Sequence, residues 1–266
     1  MHAVLSPAAR RLTAAARDGL PGQPVRDVLA DDDVAAAYDV QLEMMRLEVN
    51  SGKSIAGRKV AMTSEAVRRQ FGVDSPAQGF LYLDRDLSRQ GGIVSGDFLD
   101  PKIELEVAFL LGDDVGALSK RGTIRRNDVL RATRWIAPAF EIADCRIRDW
   151  DITQVDLVAD NACGSAFVLG DERVRPQGVD LRTSQVELCI DDELSFIGSG
   201  ADSMGDPFLA VAWLAEFARD LGVPLQPGEI ILSGGALGKA LPLPRSGVIS
   251  GLIAGGVGEV TVNVTT

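Results

Sequence analysis

The chain has 266 residues, enough for one large domain or a main domain with a small companion. Hydrophobic residues make up 46% and charged residues 24%, so a sizeable core can be buried, and a formal net charge of −11 speaks against nucleic acid or an anionic membrane as partner. The single histidine, His2, leaves no Ser-His-Asp or Cys-His arrangement to build, so acid–base chemistry would fall to carboxylates, Lys, Tyr, Cys or metal-bound water.

The first stretch, to about residue 50, reads as helical. Ser6 is a fitting N-cap, with Pro7 at the first helical position and "AARRLTAAARDG" behind it. "PGQP" at 21–24 breaks the chain. "DDDVAAAYDVQLEMMRLEVN" then opens with acids, which suits a helix N-terminus, and Val34, Tyr38, Leu42, Met45 and Val49 mark one apolar face. "IAGRKVAMTS" (55–64) reads as a strand. Ser64 is placed to cap a short helix, "EAVRRQF", ended by Gly72. "VDSPAQG" (73–79) reads as a loop.

Beyond residue 80 short β-like runs alternate with Gly and Pro. They are "GGIVSG", "IELEVAFLLG", "FEIADCRI", "GSAFVLG", "QVELCID", "GEIILSGG" and "GEVTVNV". Two helices interrupt them: "NDVLRATRWI", capped by Asn127, and "DPFLAVAWLAEFARDLG", with Asp206 as cap, Pro207 first and Gly222 past the end. The division is a helical N-terminal region over 1–75 and a β-rich catalytic region over 76–266, joined as one continuous folded unit. The three cysteines, Cys145, Cys163 and Cys189, form no C-x-x-C pair and suit a reducing cytoplasm. The N-terminus lacks the apolar stretch of a signal peptide, and no run of 18 apolar residues suggests a membrane span.

"PKIELEVAFLLG" (101–112) raises the functional question. In a strand, Glu104 and Glu106 share one face, while Ile103, Leu105 and Val107 share the other. Glu141 lies in a second apolar run, "APAFEIADCRIRDW". One reading is a solvated outer face over an apolar inner one. The other is a buried set of carboxylates, whose repulsion a divalent cation removes; with oxygen ligands alone, such a site favours Mg²⁺ or Mn²⁺ over zinc or copper.

Six ordered segments carry a resemblance that bears on this choice: "GRKVAMTSEAVRRQFGVDSP", "PKIELEVAFLLG", "PAFEIADCRIRDW", "VDLVADNACGSAFVLG", "DPFLAVAWLA" and "LQPGEIILSGGALG". Together they resemble the 2-keto-4-pentenoate hydratase and 4-oxalocrotonate decarboxylase group of the fumarylacetoacetate hydrolase superfamily, from about residue 25 to the C-terminus. The resemblance implies an α+β fold, a mixed β-sheet roll like that of the fumarylacetoacetate hydrolase C-terminal domain, with a small helical N-terminal region. It implies Glu104, Glu106 and Glu141 as ligands of Mg²⁺ or Mn²⁺, and Lys59 as the acid/base group or the charge that holds the enolate. A Lys in a dry pocket by a metal would have a lowered pKa. Ser64, Asp160, Asn161, Cys163, Ser165 and Gly235 are implied to contact the substrate. Cys163 stands where the family has serine. The substrate would be a small 2-oxo or 2-hydroxydienoic acid, and the chain a homo-oligomer.

The match is mixed between branches. Hydratases of this group tend to carry Asp in a Pro-Asp-aromatic-Gly loop; here "SPAQG" puts Ala77 at that position, followed by Gln78. Ala77 and the double glycine of "SGGALG" lean toward the decarboxylases, while "RIRDW" and "ALG" lean toward the hydratases. Hydratase is the first expectation and 4-oxalocrotonate-type decarboxylase the second. A catalytically silent partner subunit of a pathway enzyme is a third, from a different class. The hydrolases of the superfamily fit less well, because they use an N-terminal-region His that His2 does not match.

Overall fold

The computed structural model describes residues 6–30, 32–118, 122–236 and 240–266. His2 lies outside them, as do Leu237 and Gly238 of "SGGALG". Two helices lead, α1 (Pro7–Asp18) and α2 (Val34–Asn50), followed by strand β1 (Ile55–Ala61), helix α3 (Glu65–Phe71), β2 (Ala77–Tyr82) and β3 (Ile93–Val94). The middle runs β4 (Lys102–Leu111), α4 (Val115–Leu118), α5 (Arg126–Ala132), β5 (Thr133–Ala143), α6 (Gln154–Ala159) and β6 (Gly164–Leu169). The last part is β7 (Gln185–Ile190), β8 (Glu193–Ser199), α7 (Pro207–Asp220), β9 (Ile230–Leu232), β10 (Leu241–Pro242), β11 (Gly247–Ile253) and β12 (Gly258–Thr265).

The strands form two sheets. One has seven strands, ordered β2-β1-β9-β4-β5-β6, with β10 added to β4; the other has five, ordered β3-β12-β11-β7-β8. The β1–β9 and β12–β3 pairs are parallel and the others antiparallel, which makes both sheets mixed. The main core lies between the sheets and takes in α7: Ile103, Leu105, Val107, Phe109 and Phe140 meet Val186, Leu188, Ile249, Val260 and Phe208. A second apolar cluster joins α1, α2 and α6 through Ala9, Leu12, Tyr38, Val40 and Val158. The α+β roll with its helical N-terminal region is the architecture expected. No helix among the described residues is long and apolar enough to cross a membrane.

Capping chemistry sets several helix ends as read. Ser6, Ser64 and Asp206 accept backbone N–H bonds at the starts of α1, α3 and α7, and Gly72 ends α3 in the left-handed conformation. Other readings need correction. α5 starts at Arg126 behind Arg125, so Asn127 lies inside its first turn rather than at the cap, and it ends at Ala132 because "TRWI" enters β5 opposite β4, with Trp135 paired to Leu110. Residues 77–79 of the expected loop begin β2, whose register pairs Gly79 with Lys59. On α2 the buried positions include Gln41, while Val49 is exposed; the Gln41 amide donates to the carbonyls of Gln78 and Val158, at 2.9 Å each. β1 belongs to the seven-stranded sheet, and the two leading helices end at Asn50.

Asp156 ties the N-terminal segment to α6. Its buried carboxylate accepts from the backbone N–H groups of Val25 (2.7 Å), Arg26 (3.0 Å) and Thr153 (2.9 Å), and from the Arg26 guanidinium (2.8 Å). Removing an ionised acceptor that leaves such donors unpaired costs about 3 kcal/mol. Asp156→Ala is therefore expected to lower the thermal midpoint by several degrees in a melting experiment, without changing the cation affinity of the site below.

Candidate active site

Four side chains meet on the face of the large sheet opposite the main core. The β4–β5 register sets Glu104 directly across from Glu141, with Glu106 one step further along β4. All three offer carboxylate oxygens within 4.8 Å of one another. Glu106 is 0% exposed and Glu141 1%, so the solvated-face reading fails: both faces of these strands are covered.

Lys59 arrives from β1. Its Nζ lies 2.9 Å from Glu141 Oε1, and the side chain is almost fully buried. Its stem passes between two glycines. A Cβ on Gly79 would sit 3.3 Å from Lys59 Cγ and 2.4 Å from the Asn161 carbonyl, and one on Gly164 would sit 3.2 Å from Lys59 Cε. Any side chain at either position would crowd the lysine's path.

The turn after β9 completes the cluster. The Gly234 N–H donates to Glu106 Oε2 at 2.6 Å, and a Cβ on Gly235 would come within 2.3 Å of Glu104 Oε2. Backbone therefore presses directly on two of the three carboxylates. No hydrogen-bond donor among the described residues reaches Glu106 Oε1 or Glu141 Oε2. Buried carboxylate oxygens left bare beside each other fit a hard divalent cation, which needs oxygen ligands and removes their repulsion.

The electrostatics follow from the crowding. Burial and the Glu141 charge push Glu104 up to about 7 and Glu106 well above the ordinary carboxylate range. Burial opposes the Lys59 charge, but Glu141, Glu104 and Glu106 outweigh it and push the ammonium up to about 12. Without a bound cation the acidic neighbours dominate over desolvation at Lys59, whereas the lowered value expected from the sequence belongs to the metal-loaded site.

The cluster opens on a cavity of about 270 Å³ whose walls include Lys59, Ser64, Lys102, Glu104, Cys163 and Gly235. Ser64 also caps α3, accepting from the Val67 N–H at 3.1 Å. Asp160, Asn161 and Ser165 are not in its walls. Asp160 is fully buried and bound to Arg146, at 2.7 Å to the guanidinium and 2.9 Å to the backbone N–H. The Asn161 amide braces β2 and the following turn, accepting from the Phe80 N–H (2.7 Å) and donating to the Phe80 and Gly164 carbonyls. Ser165 lines a different cavity, where its Oγ accepts from Arg85. Ala77 is buried in the N-terminal apolar cluster and does not line the active cavity.

Cys145, Asp160 and Cys163 form a second close group. The Arg146 guanidinium already supplies the positive charge there. Lys102 and Trp150 line the active cavity and were not anticipated; the signal for Lys102 was its i−2 spacing from Glu104 on the same strand face.

Comparison with known proteins agrees with this geometry. Residues 75–264 match the family described as "Fumarylacetoacetate (FAA) hydrolase C-terminal", and the chain belongs to it. Among individual relatives, it is 40% identical to 2-keto-4-pentenoate hydratase 2 of Dechloromonas aromatica, over 96% of this chain and 95% of that protein. It is 37% identical to 2-hydroxyhexa-2,4-dienoate hydratase of Comamonas testosteroni, over 85% of this chain and 84% of that one. The solved 4-oxalocrotonate decarboxylase of Pseudomonas putida G7, complexed with magnesium and adipate, superimposes with a TM-score of 0.88 at 29% identity, covering 97% of this chain and 95% of that chain.

A pH dependence follows from Glu104. Its carboxyl titrates at about 7 in the folded chain against an ordinary 4.5. Between these values the folded chain holds a proton that the unfolded chain has released, so this group's contribution to metal-free stability falls as pH rises through the window. A cation competes with the same proton. The rise in thermal midpoint on adding Mg²⁺ is therefore expected to be small near about pH 5.5 and to grow up to about pH 8. Melting curves with Mg²⁺ and with chelator check this, and a Mg²⁺ effect that does not vary across the range would contradict it.

Proposed function

We propose that the chain is a divalent-metal-dependent lyase acting on a small unsaturated 2-oxo or 2-hydroxydienoic acid, and that its reaction is hydration of 2-hydroxypenta-2,4-dienoate. The observation that carries this reading is the buried carboxylate set with bare oxygens, lying beside Lys59 at the wall of a small cavity. Glu104, Glu106 and Glu141 would hold the cation, with Mg²⁺ or Mn²⁺ the choice that the oxygen ligands favour. Bound there, it supplies a Lewis acid for the substrate's carboxylate and 2-oxygen.

The protein's own groups have separate tasks. Hydration moves the 2-hydroxyl proton to the terminal carbon, then adds the oxygen of water to the carbon beside it and the remaining water proton to the carbon next to the 2-oxo group. Lys59 Nζ is the group assigned to hold charge and proton at the 2-oxygen. Its ion pair with Glu141 fixes where Nζ points, and Gly79 and Gly164 leave the space for its stem. The Gly234 N–H fixes Glu106, and Gly235 lets the Glu104 carboxylate lie against the backbone. Cys163, in the cavity wall where the resemblance implies a serine, would give the substrate a weaker hydrogen-bond donor than a hydroxyl.

Hydratases at up to 40% identity favour hydration over decarboxylation. The 29%-identical decarboxylase structure supports the second reading, in which the same site takes up the electrons released by loss of carbon dioxide. The resemblance and the three free thiols suit a homo-oligomer working in the cytoplasm.

The test is absorbance and mass analysis of 2-hydroxypenta-2,4-dienoate and of 4-oxalocrotonate incubated with the Mg²⁺- or Mn²⁺-loaded protein. Hydration of the first is expected; carbon dioxide from the second alone would move the chain to the decarboxylase reading. Glu106→Gln and Glu141→Gln are each expected to lower metal-dependent turnover by at least about 10²-fold with the fold intact by circular dichroism. Lys59→Ala is expected to lower turnover by about 10²-fold or more while changing Mg²⁺ affinity much less, as calorimetry would show.

A further inference from the structure

The face of β4 that carries Glu106 and Glu104 continues outward to Lys102, about 6.7 Å further along the strand. The backbone there is held on both sides. Lys102 pairs with Ala143 of β5 and with Pro242 of β10. Its Nζ sits 3.7 Å from the centroid of the Trp150 ring. That ring is itself fixed: the indole N–H donates to the Asp100 carbonyl at 2.9 Å, and Asp149 and Trp150 both hold left-handed φ values, 60° and 53°. No carboxylate among the described residues pairs with Lys102. Its charge reaches the Glu104 carboxylate but makes no ion pair with it, so this cation in the wall of a cavity, seated on an aromatic ring, stays open to a bound anion.

Charge balance identifies the anion. The three carboxylates are matched by a divalent cation together with Lys59, so the loaded site is neutral without Lys102. A substrate monocarboxylate adds one negative charge, and Lys102 answers it. A dicarboxylate would leave one negative charge over. Among the described residues the cations of the wall are Lys59 and Lys102; Val67, Phe71, Ile152, Leu157 and Trp150 are apolar, and Thr63, Ser64 and Gln70 are neutral. A carboxylate held against such a wall loses its hydration without gaining a partner.

We propose that Lys102 is the counter-ion of the substrate's carboxylate, and that with the apolar wall it makes the site selective for a 2-oxo or 2-hydroxydienoic monocarboxylate over a dicarboxylate of the same length. This rests on the metal-dependent reading of the site given above, and it assigns to Lys102 a binding role rather than a part in proton transfer.

The test uses two saturated acids that the enzyme cannot hydrate, 2-oxohexanoate and 2-oxohexanedioate, titrated calorimetrically into the Mg²⁺-loaded protein. Wild type is expected to bind the monoacid at least about 10-fold more tightly than the diacid. Lys102→Met keeps an apolar stem on Trp150 and is expected to weaken monoacid binding by about 10-fold or more, with Mg²⁺ affinity undiminished. Lys102→Arg keeps the charge and is expected to restore most of the binding, which a merely structural role for the lysine stem would not require. Monoacid binding unchanged in Lys102→Met, or tighter binding of the diacid by wild type, overturns the inference while leaving the metal-site reading standing. Mg²⁺-dependent binding of neither acid overturns both.

Discussion

Mutual repulsion among Glu104, Glu106 and Glu141 is the constraint around which the rest of the site is arranged. Antiparallel pairing of β4 with β5 forces Glu104 opposite Glu141, and burial removes the water that would otherwise screen them. The Lys59 ammonium meets part of that charge and the Gly234 N–H meets another part. What remains is a pair of bare oxygens that only a proton or a cation can satisfy. The upward shifts of Glu104 and Glu106 and the fit to a divalent cation are two expressions of the same unmet charge.

The fold supplies each element of the answer from a different part of the chain. Lys59 comes from β1, the carboxylates from β4 and β5, and the turn that braces them from the end of β9. Helix α3 and the segment around α6 bring the apolar wall. Lys59 and Glu104 need glycine neighbours because their side chains or carboxylates run against backbone. The left-handed run at Asn161, Ala162 and Cys163 serves the same end: it turns Cys163 into the cavity wall while the Asn161 amide braces β2, which lies beside Lys59.

The motif at 160–165 shows how proximity in sequence misleads about a site. Asp160, Asn161, Cys163 and Ser165 lie within one short stretch, yet only Cys163 lines the active cavity. Asp160 neutralises half-buried Arg146, Asn161 ties two backbone segments together, and Ser165 points to a different cavity. A tight turn followed by a strand sends consecutive side chains in different directions, and no periodic pattern announces where each will end. The reading of Ala77 as a loop residue was limited in the same way. Its place in β2 depends on pairing with β1, more than fifteen residues earlier in the chain.

By itself the sequence determined a good deal. The E-x-E run on an apolar strand put two carboxylates on one face, because strand side chains alternate with a period of two. Ser6, Ser64, Asp206 and Gly72 announced helix ends, because capping is local chemistry. The six ordered segments carried the family and, with it, the architecture. Only the tertiary structure decided whether the carboxylate face was wet or dry, since burial depends on what covers the strand rather than on the strand itself. It alone set Glu141 across from Glu104 and brought Lys59 to 2.9 Å from Glu141, because register and sheet order are long-range facts. It also set the shift of Lys59 in the metal-free site, since a pKa follows the summed charge of neighbours that the linear chain keeps far apart.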